Sequence, residues 1–310
     1  MTQYALVFPG QGSQSRGMMN GYADFSVVRD TFTEASDVLK QDLWQLVADG
    51  SDADLNATIN TQPVMLAAGV AVYRAWQSLN APAPKMLAGH SLGEYTALVA
   101  SGALKFADAL PLVRYRAECM QLAVPDGVGG IAAILGLDDE AVRIVCKEAA
   151  QNEVLEAVNY NSPGQVVIAG NRAAVERGME LAKARGAKRA LMLPMSVPSH
   201  CSLLKGAAEK LRAYLANVAM QTPSIPVVHN ADVKSYTDAA SIKDALVRQL
   251  YSPVRWVETI QYLGKQGITH NVECAPGKVL VGLNKRIDTN QQALTLNDGA
   301  ALHTVLAVLV

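Results

Sequence analysis

A serine set between two glycines, Gly89-His90-Ser91-Leu92-Gly93, is the stretch of this chain best suited to covalent chemistry. It fits the G-x-S-x-G elbow, in which a sharp strand-to-helix turn lifts a serine hydroxyl out of a sheet edge and the glycines leave room for the backbone. The flanks agree, since Met86-Leu87-Ala88 reads as a strand and Glu94 onward as a helix. At that helix start the backbone amide of Leu92 can point at an oxyanion. A serine hydroxyl also needs a base. Of the five histidines, His200 in Val197-Pro198-Ser199-His200 is the best candidate, lying just ahead of a helical stretch. His90 is adjacent to Ser91 and is expected to face away across the turn, and His229, His270 and His303 have weaker surroundings. Cys201 could be argued as a nucleophile, but small buried packing is the role expected of it.

Other motifs fail on inspection. Gly10-Gln11-Gly12-Ser13-Gln14 lacks the third glycine of a dinucleotide fingerprint, and Gly277-Lys278 lacks the upstream glycine and following Ser/Thr of a P-loop. No HExxH or paired Cys/His spacing suggests a metal. Cys119, Cys146, Cys201 and Cys274 are scattered without a CxxC pair, so a reducing cytoplasm is the expected setting. The first residues reach no further than Tyr4–Phe8 before Pro9, too short for a signal peptide. No stretch approaches the ~18 apolar residues of a membrane span. Lys+Arg at 27 against Asp+Glu at 28 gives no reason to expect nucleic acid.

The elements that must hold these residues can be read along the 310 residues. Tyr4–Phe8 is a strand ending at Pro9-Gly10-Gln11-Gly12, Thr61–Leu79 an apolar helix, Lys85–Ala88 a strand and Glu94–Ala100 a helix stopped by Gly102. Then the pattern changes. Gly130–Leu135 is a strand, a helix starts at Asp138-Asp139-Glu140 and runs to about Gln151, and Leu155–Asn159 and Gln165–Ala169 form a hairpin about Asn161-Ser162-Pro163-Gly164. A helix at Ala173–Arg185 and a strand at Arg189–Leu193 complete a βαββαβ order, the split pattern of a ferredoxin-like unit. The remainder returns to α/β, with helices at Leu203–Leu215, Ser241–Leu250 and Lys278–Arg286 and strands at Pro226–His229 and His270–Glu273. The expected fold is α/β, with 1–125 and 197–310 forming the large domain and 126–196 inserted as the ferredoxin-like small subdomain.

Six motifs occur together and in order: Pro9-Gly10-Gln11-Gly12-Ser13-Gln14, Gly89-His90-Ser91-Leu92-Gly93-Glu94, Arg116 with Met120-Gln121, Asn161-Ser162-Pro163-Gly164-Gln165, Pro198-Ser199-His200 and Ala275-Pro276-Gly277-Lys278. Together they closely resemble the bacterial malonyl-CoA:acyl carrier protein transacylases of fatty acid synthesis, over nearly the whole chain. The resemblance implies an α/β-hydrolase-like core and gives each residue a role. Ser91 would accept the acyl group and His200 would be its base, oriented by a backbone carbonyl at Gln249. The amides of Gln11 and Leu92 would form the oxyanion hole. Arg116 would pair bidentately with the malonyl carboxylate. It further implies malonyl-CoA and phosphopantetheinylated acyl carrier protein as partners, no cofactor or metal, and a monomer.

Two rivals share parts of this pattern. A serine thioesterase or esterase would place an acid between serine and histidine in the chain. Asp138 and Asp139 lie in that interval, but they read as a helix start. A non-catalytic carrier-protein-binding subunit would not need an intact Ser91–His200 pair. Lys183, Arg185, Lys188 and Arg189 form a basic cluster that could meet an acidic partner, although a solvated helix end is the plainer reading.

Overall fold

In the computed structural model, which describes residues 2–125, 127–194 and 197–310, the chain forms two sheets of opposite character. Strands β1 (Tyr4–Phe8), β2 (Met86–Gly89), β7 (Val227–Val228), β8 (His270–Glu273) and β9 (Gln292–Thr295) make one parallel sheet, in the order β7-β2-β1-β8-β9. Both faces of a parallel sheet are covered by its crossover helices, so its strands are apolar on both sides. In β1 the period of two sorts the side chains. Tyr4, Leu6 and Phe8 join the core with the helices Ser26–Leu39, Thr58–Ser78 and Phe106–Ala123, while Ala5 and Val7 face the helices Trp256–Lys265 and Val279–Ile287.

Between β2 and β7 the chain builds the second sheet. Strands β3 (Gly129–Leu135), β4 (Leu155–Ser162), β5 (Gln165–Asn171) and β6 (Arg189–Met192) pair antiparallel in the order β4-β5-β3-β6. The second and fourth strands of the unit take the edges and the first and third the centre. That is the split βαβ arrangement expected from the βαββαβ order. Ala132, Ile134, Val166 and Ile168 pack on the helices Asp139–Ala150 and Arg172–Ala184. The opposite face, with Ile131, Val158, Val167 and Ala169, packs on Cys201, next to His200. The expected junctions at 126 and 196 fall on residues outside those described.

Most boundaries agree within two or three residues, but β7 is shorter than the Pro226–His229 expected. His229 and Asn230 turn away from the strand because the backbone N–H of Asn230 donates to the Glu94 carboxyl group rather than to a neighbouring strand. Among the described residues, seven α-helices or strands went unread in the sequence, among them β9 and the helix Trp256–Lys265.

Candidate active site

The elbow between β2 and the helix Gly93–Ala100 carries Ser91 at φ +52°. A side-chain-bearing residue held in that left-handed region costs ~1–3 kcal/mol, so its surroundings must hold it there. The glycines are required by close approach. A Cβ on Gly89 would lie 1.9 Å from the carbonyl carbon of Gly93, and one on Gly93 would lie 2.0 Å from the Phe8 carbonyl oxygen. Asn230 clamps the turn from outside, accepting the Ser91 N–H at its Oδ1 (2.7 Å) and donating from Nδ2 to the Gly89 carbonyl (2.6 Å).

His200 meets Ser91 from the opposite wall, its Nε2 2.8 Å from Ser91 Oγ. Its Nδ1–H donates to the Gln249 carbonyl at 2.8 Å, which leaves the Nε2 lone pair facing the hydroxyl. The backbone is again left-handed, φ +65°, and its N–H is tied to the Leu250 carbonyl. Burial pushes the imidazole pKa down, and the Arg116 charge adds to that against the opposing pull of the Gln249 carbonyl, leaving it at about 3. The ring is therefore neutral near pH 7 and able to accept a proton. The acid that a hydrolase triad would require is absent from the contacts of His200 among the described residues. Asp138 caps the helix Asp139–Ala150 through the Ala141 N–H instead.

Arg116 is completely buried on the helix Phe106–Ala123. Nη1 donates to Gln62 Oε1 (2.9 Å), and Nη2 donates to Gln249 Oε1 (3.0 Å) and to Ser91 Oγ (3.2 Å). The Tyr95 ring lies 5.4 Å from the guanidinium carbon. Among the described residues no carboxylate pairs with it, and its Nε–H has no acceptor. Burial pulls its pKa below the ordinary value. A guanidinium starts so high that it keeps its charge. The nearest acid, Glu94, acts on it only from beyond the Gln249 amide, and a buried cation with no anion in contact is costly.

The turn after β1 completes the wall. A Cβ on Gly10 would be 2.7 Å from the His90 carbonyl oxygen and 3.6 Å from the Leu92 nitrogen, so the Gly10-Gln11 segment lies directly against the elbow. The side chain of Gln11 is held by Gln62 Nε2 at 3.2 Å. Among the described residues, neither the Gln11 nor the Leu92 backbone N–H has an acceptor. Gln11, Ser91 and His200 line one cleft, roofed by Ile131 and Val167 of the antiparallel sheet. His90 borders the same cleft; its ring meets the Trp256 ring, and its Nε2 lies 2.8 Å from Asn161 Oδ1, which joins the elbow to the β4–β5 hairpin.

All six residues singled out for the site thus converge. Cys201 is buried, with its thiol toward the Pro198 carbonyl. Sequence reasoning missed Gln62, Glu94, His229 and Asn230 as a buried polar shell behind these groups. The available signal was Gln62 itself, a polar residue inside the apolar run that opens at Thr61. In the basic cluster, Lys183 and Arg185 pair with Glu180 and Glu148.

A parallel α/β core with a serine elbow and a histidine lining one cleft, and a buried arginine in contact with that serine, marks an acyl-transfer enzyme, and the chain belongs to the acyl transferase domain family, whose model matches residues 5–300. Its relatives narrow this further. The chain is 53% identical over 307 residues to the malonyl CoA-acyl carrier protein transacylase of Salmonella typhimurium, spanning 99% of both. The crystal structure of acyl-carrier-protein S-malonyltransferase from Burkholderia pseudomallei superposes with a TM-score of 0.97 at 59% identity, covering 99% of this chain and 100% of that one. A structure of a type II PKS acyl-carrier protein in complex with its malonyl-transacylase gives a TM-score of 0.98 at 51% identity, covering 99% of this chain and 100% of the other. The described residues include no helix long and apolar enough to cross a membrane.

Proposed function

We propose that this enzyme transfers the malonyl group from malonyl-CoA to the phosphopantetheine thiol of acyl carrier protein, for fatty acid synthesis, through a malonyl ester on Ser91. The observation that carries the reading is the buried Arg116 guanidinium, without a carboxylate partner, 3.2 Å from the nucleophile. A malonyl thioester brings a carboxylate to that position, one carbon beyond the reacting carbonyl.

In the first half-reaction Ser91 Oγ attacks the thioester carbonyl while His200 Nε2 takes its proton. The oxygen that becomes anionic is held by the N–H groups of Gln11 and Leu92. The C–S bond breaks, and the proton on His200 passes to the departing coenzyme A sulfur. In the second half the carrier thiol gives its proton to His200 and attacks the ester; the C–O bond breaks and Ser91 regains its proton. Each step is redox-neutral and His200 carries the protons, so the cycle draws on no cofactor. In the domain division proposed, the large domain, 1–125 with 197–310, supplies the reacting groups, and Ile131 and Val167 of the small one, 126–196, roof the cleft. We propose a monomer working in the cytoplasm, a setting that suits four free cysteines.

Donor competition tests the assignment. Removing one partner of a buried charged pair costs ~2–5 kcal/mol. At ~1.4 kcal/mol per tenfold, malonyl transfer by Arg116→Ala should fall roughly 30-fold to several thousandfold. Acetyl transfer gains nothing from the guanidinium and should fall far less, shifting preference toward acetyl-CoA. Equal loss with both donors would mean that Arg116 supports the fold or binds coenzyme A.

A further inference from the structure

Glu94 takes no part in the steps above, yet it is fully buried, three residues beyond the nucleophile. Every neighbour of its carboxyl group is a donor. Oε1 accepts from His229 Nδ1 at 2.7 Å, and Oε2 accepts from the Asn230 N–H and from Gln249 Nε2, both at 2.9 Å. The Gln249 Nε2 also donates to the Ser91 carbonyl at 2.9 Å, which turns its Oε1 to Arg116 Nη2.

An amide has one donor end and one acceptor end. With a carboxylate and a carbonyl on one side and a guanidinium on the other, only the observed orientation satisfies all three. Turned over, Gln249 would set its NH₂ against Arg116 and its oxygen against Glu94, two repulsive contacts in a buried site.

We propose that Glu94 is a positioning residue for carboxylate selectivity: it locks the Gln249 amide, whose oxygen keeps Arg116 aimed at the reacting centre. The proposal rests on Arg116 being the group that binds the malonyl carboxylate. A second arm runs from Glu94 through Asn230 to the Ser91 N–H and serves every acyl donor alike. Both donors also use the Gln249 contacts to His200 and to the Ser91 carbonyl, but only malonyl transfer needs Arg116 aimed, so the ratio of the two donors isolates that part of the first arm.

The test measures malonyl and acetyl transfer side by side in Glu94→Met, which keeps most of the volume without an acceptor, and Glu94→Gln, which keeps an acceptor oxygen at the same reach. Glu94→Met should lower the malonyl-to-acetyl ratio by roughly tenfold or more, the scale of a misplaced hydrogen bond to a charged group. Glu94→Gln should recover the larger part of that ratio. Equal loss with both donors in Glu94→Met, or a Gln variant as poor as the Met variant, overturns the proposal. Should thermal denaturation show that Glu94→Met does not fold, Glu94→Asp replaces it, retaining the charge but one methylene short of Gln249; an unchanged ratio there is equally fatal. Arg116→Ala is run alongside. If its ratio does not fall, the carboxylate assignment fails and the proposal with it; if its ratio falls while those of the Glu94 variants hold, only the proposal fails.

Discussion

Ser91→Ala should give no malonyl adduct when mixed with malonyl-CoA, while the wild-type protein gains the mass of one malonyl group. Alanine lacks only the hydroxyl, and the turn is held by Gly89, Gly93 and the Asn230 clamp, none of which needs the oxygen. Far-UV circular dichroism should therefore match the wild type. In the wild type, a stable adduct awaiting a thiol acceptor agrees with a transferase. Rapid release of free malonate would instead mark a hydrolase, the rival with the same elbow. Labelling that persists in Ser91→Ala would place the nucleophile elsewhere. Cys201 is a poor substitute, because burial pushes its thiol up to about 12 and thiolate is the reactive form.

His200→Ala should slow acylation by roughly 10²–10⁴, the usual contribution of a positioned general base. A near-normal rate would remove His200 from the mechanism. Its pH behaviour gives a second reading. With a folded-state value near 3, the acid limb of kcat/KM for acylation should fall well below the ordinary histidine value of 6.5. A malonyl carboxylate on Arg116 would cancel the second cause of that depression, so the limb of kcat should lie at higher pH than that of kcat/KM with malonyl-CoA, and not with acetyl-CoA. Stability follows the same sign. The unfolded chain binds this proton near pH 6.5 and the folded chain does not, so the contribution is present above 6.5 and drains away as pH falls toward 3. His200→Ala should unfold less readily with acid than the wild type over that window.

What was legible in the sequence was what local chemistry encodes. The elbow could be read because only glycine fits at 89 and 93, and the hairpin because Pro163-Gly164 permits so tight a turn between β4 and β5. Asp138 was readable as a helix cap rather than a triad acid for the same local reason. The strand order β7-β2-β1-β8-β9 was not, since parallel pairing joins segments far apart in the chain and leaves no mark on neighbouring residues. The role of Gln249 could come only from resemblance to a family, because a backbone carbonyl looks alike at every position. The partner of His90 was not legible, because Asn161 lies on the other sheet and is brought near only by tertiary structure. Glu94 and Asn230 escaped for that reason too, as their meaning lies in contacts 136 positions apart.

The left-handed backbone at Ser91 sets catalysis against folding at a single position. Alanine inherits the whole strain of φ +52°, whereas glycine occupies that region freely. Both replacements lose the same hydroxyl contacts to His200 and Arg116. Ser91→Gly should consequently melt at a higher temperature than Ser91→Ala, by the few degrees that about 1 kcal/mol represents in a chain of this size. The amino acid that this backbone accommodates most easily is one that could never form an ester, so the strain at position 91 is inseparable from having a nucleophile there.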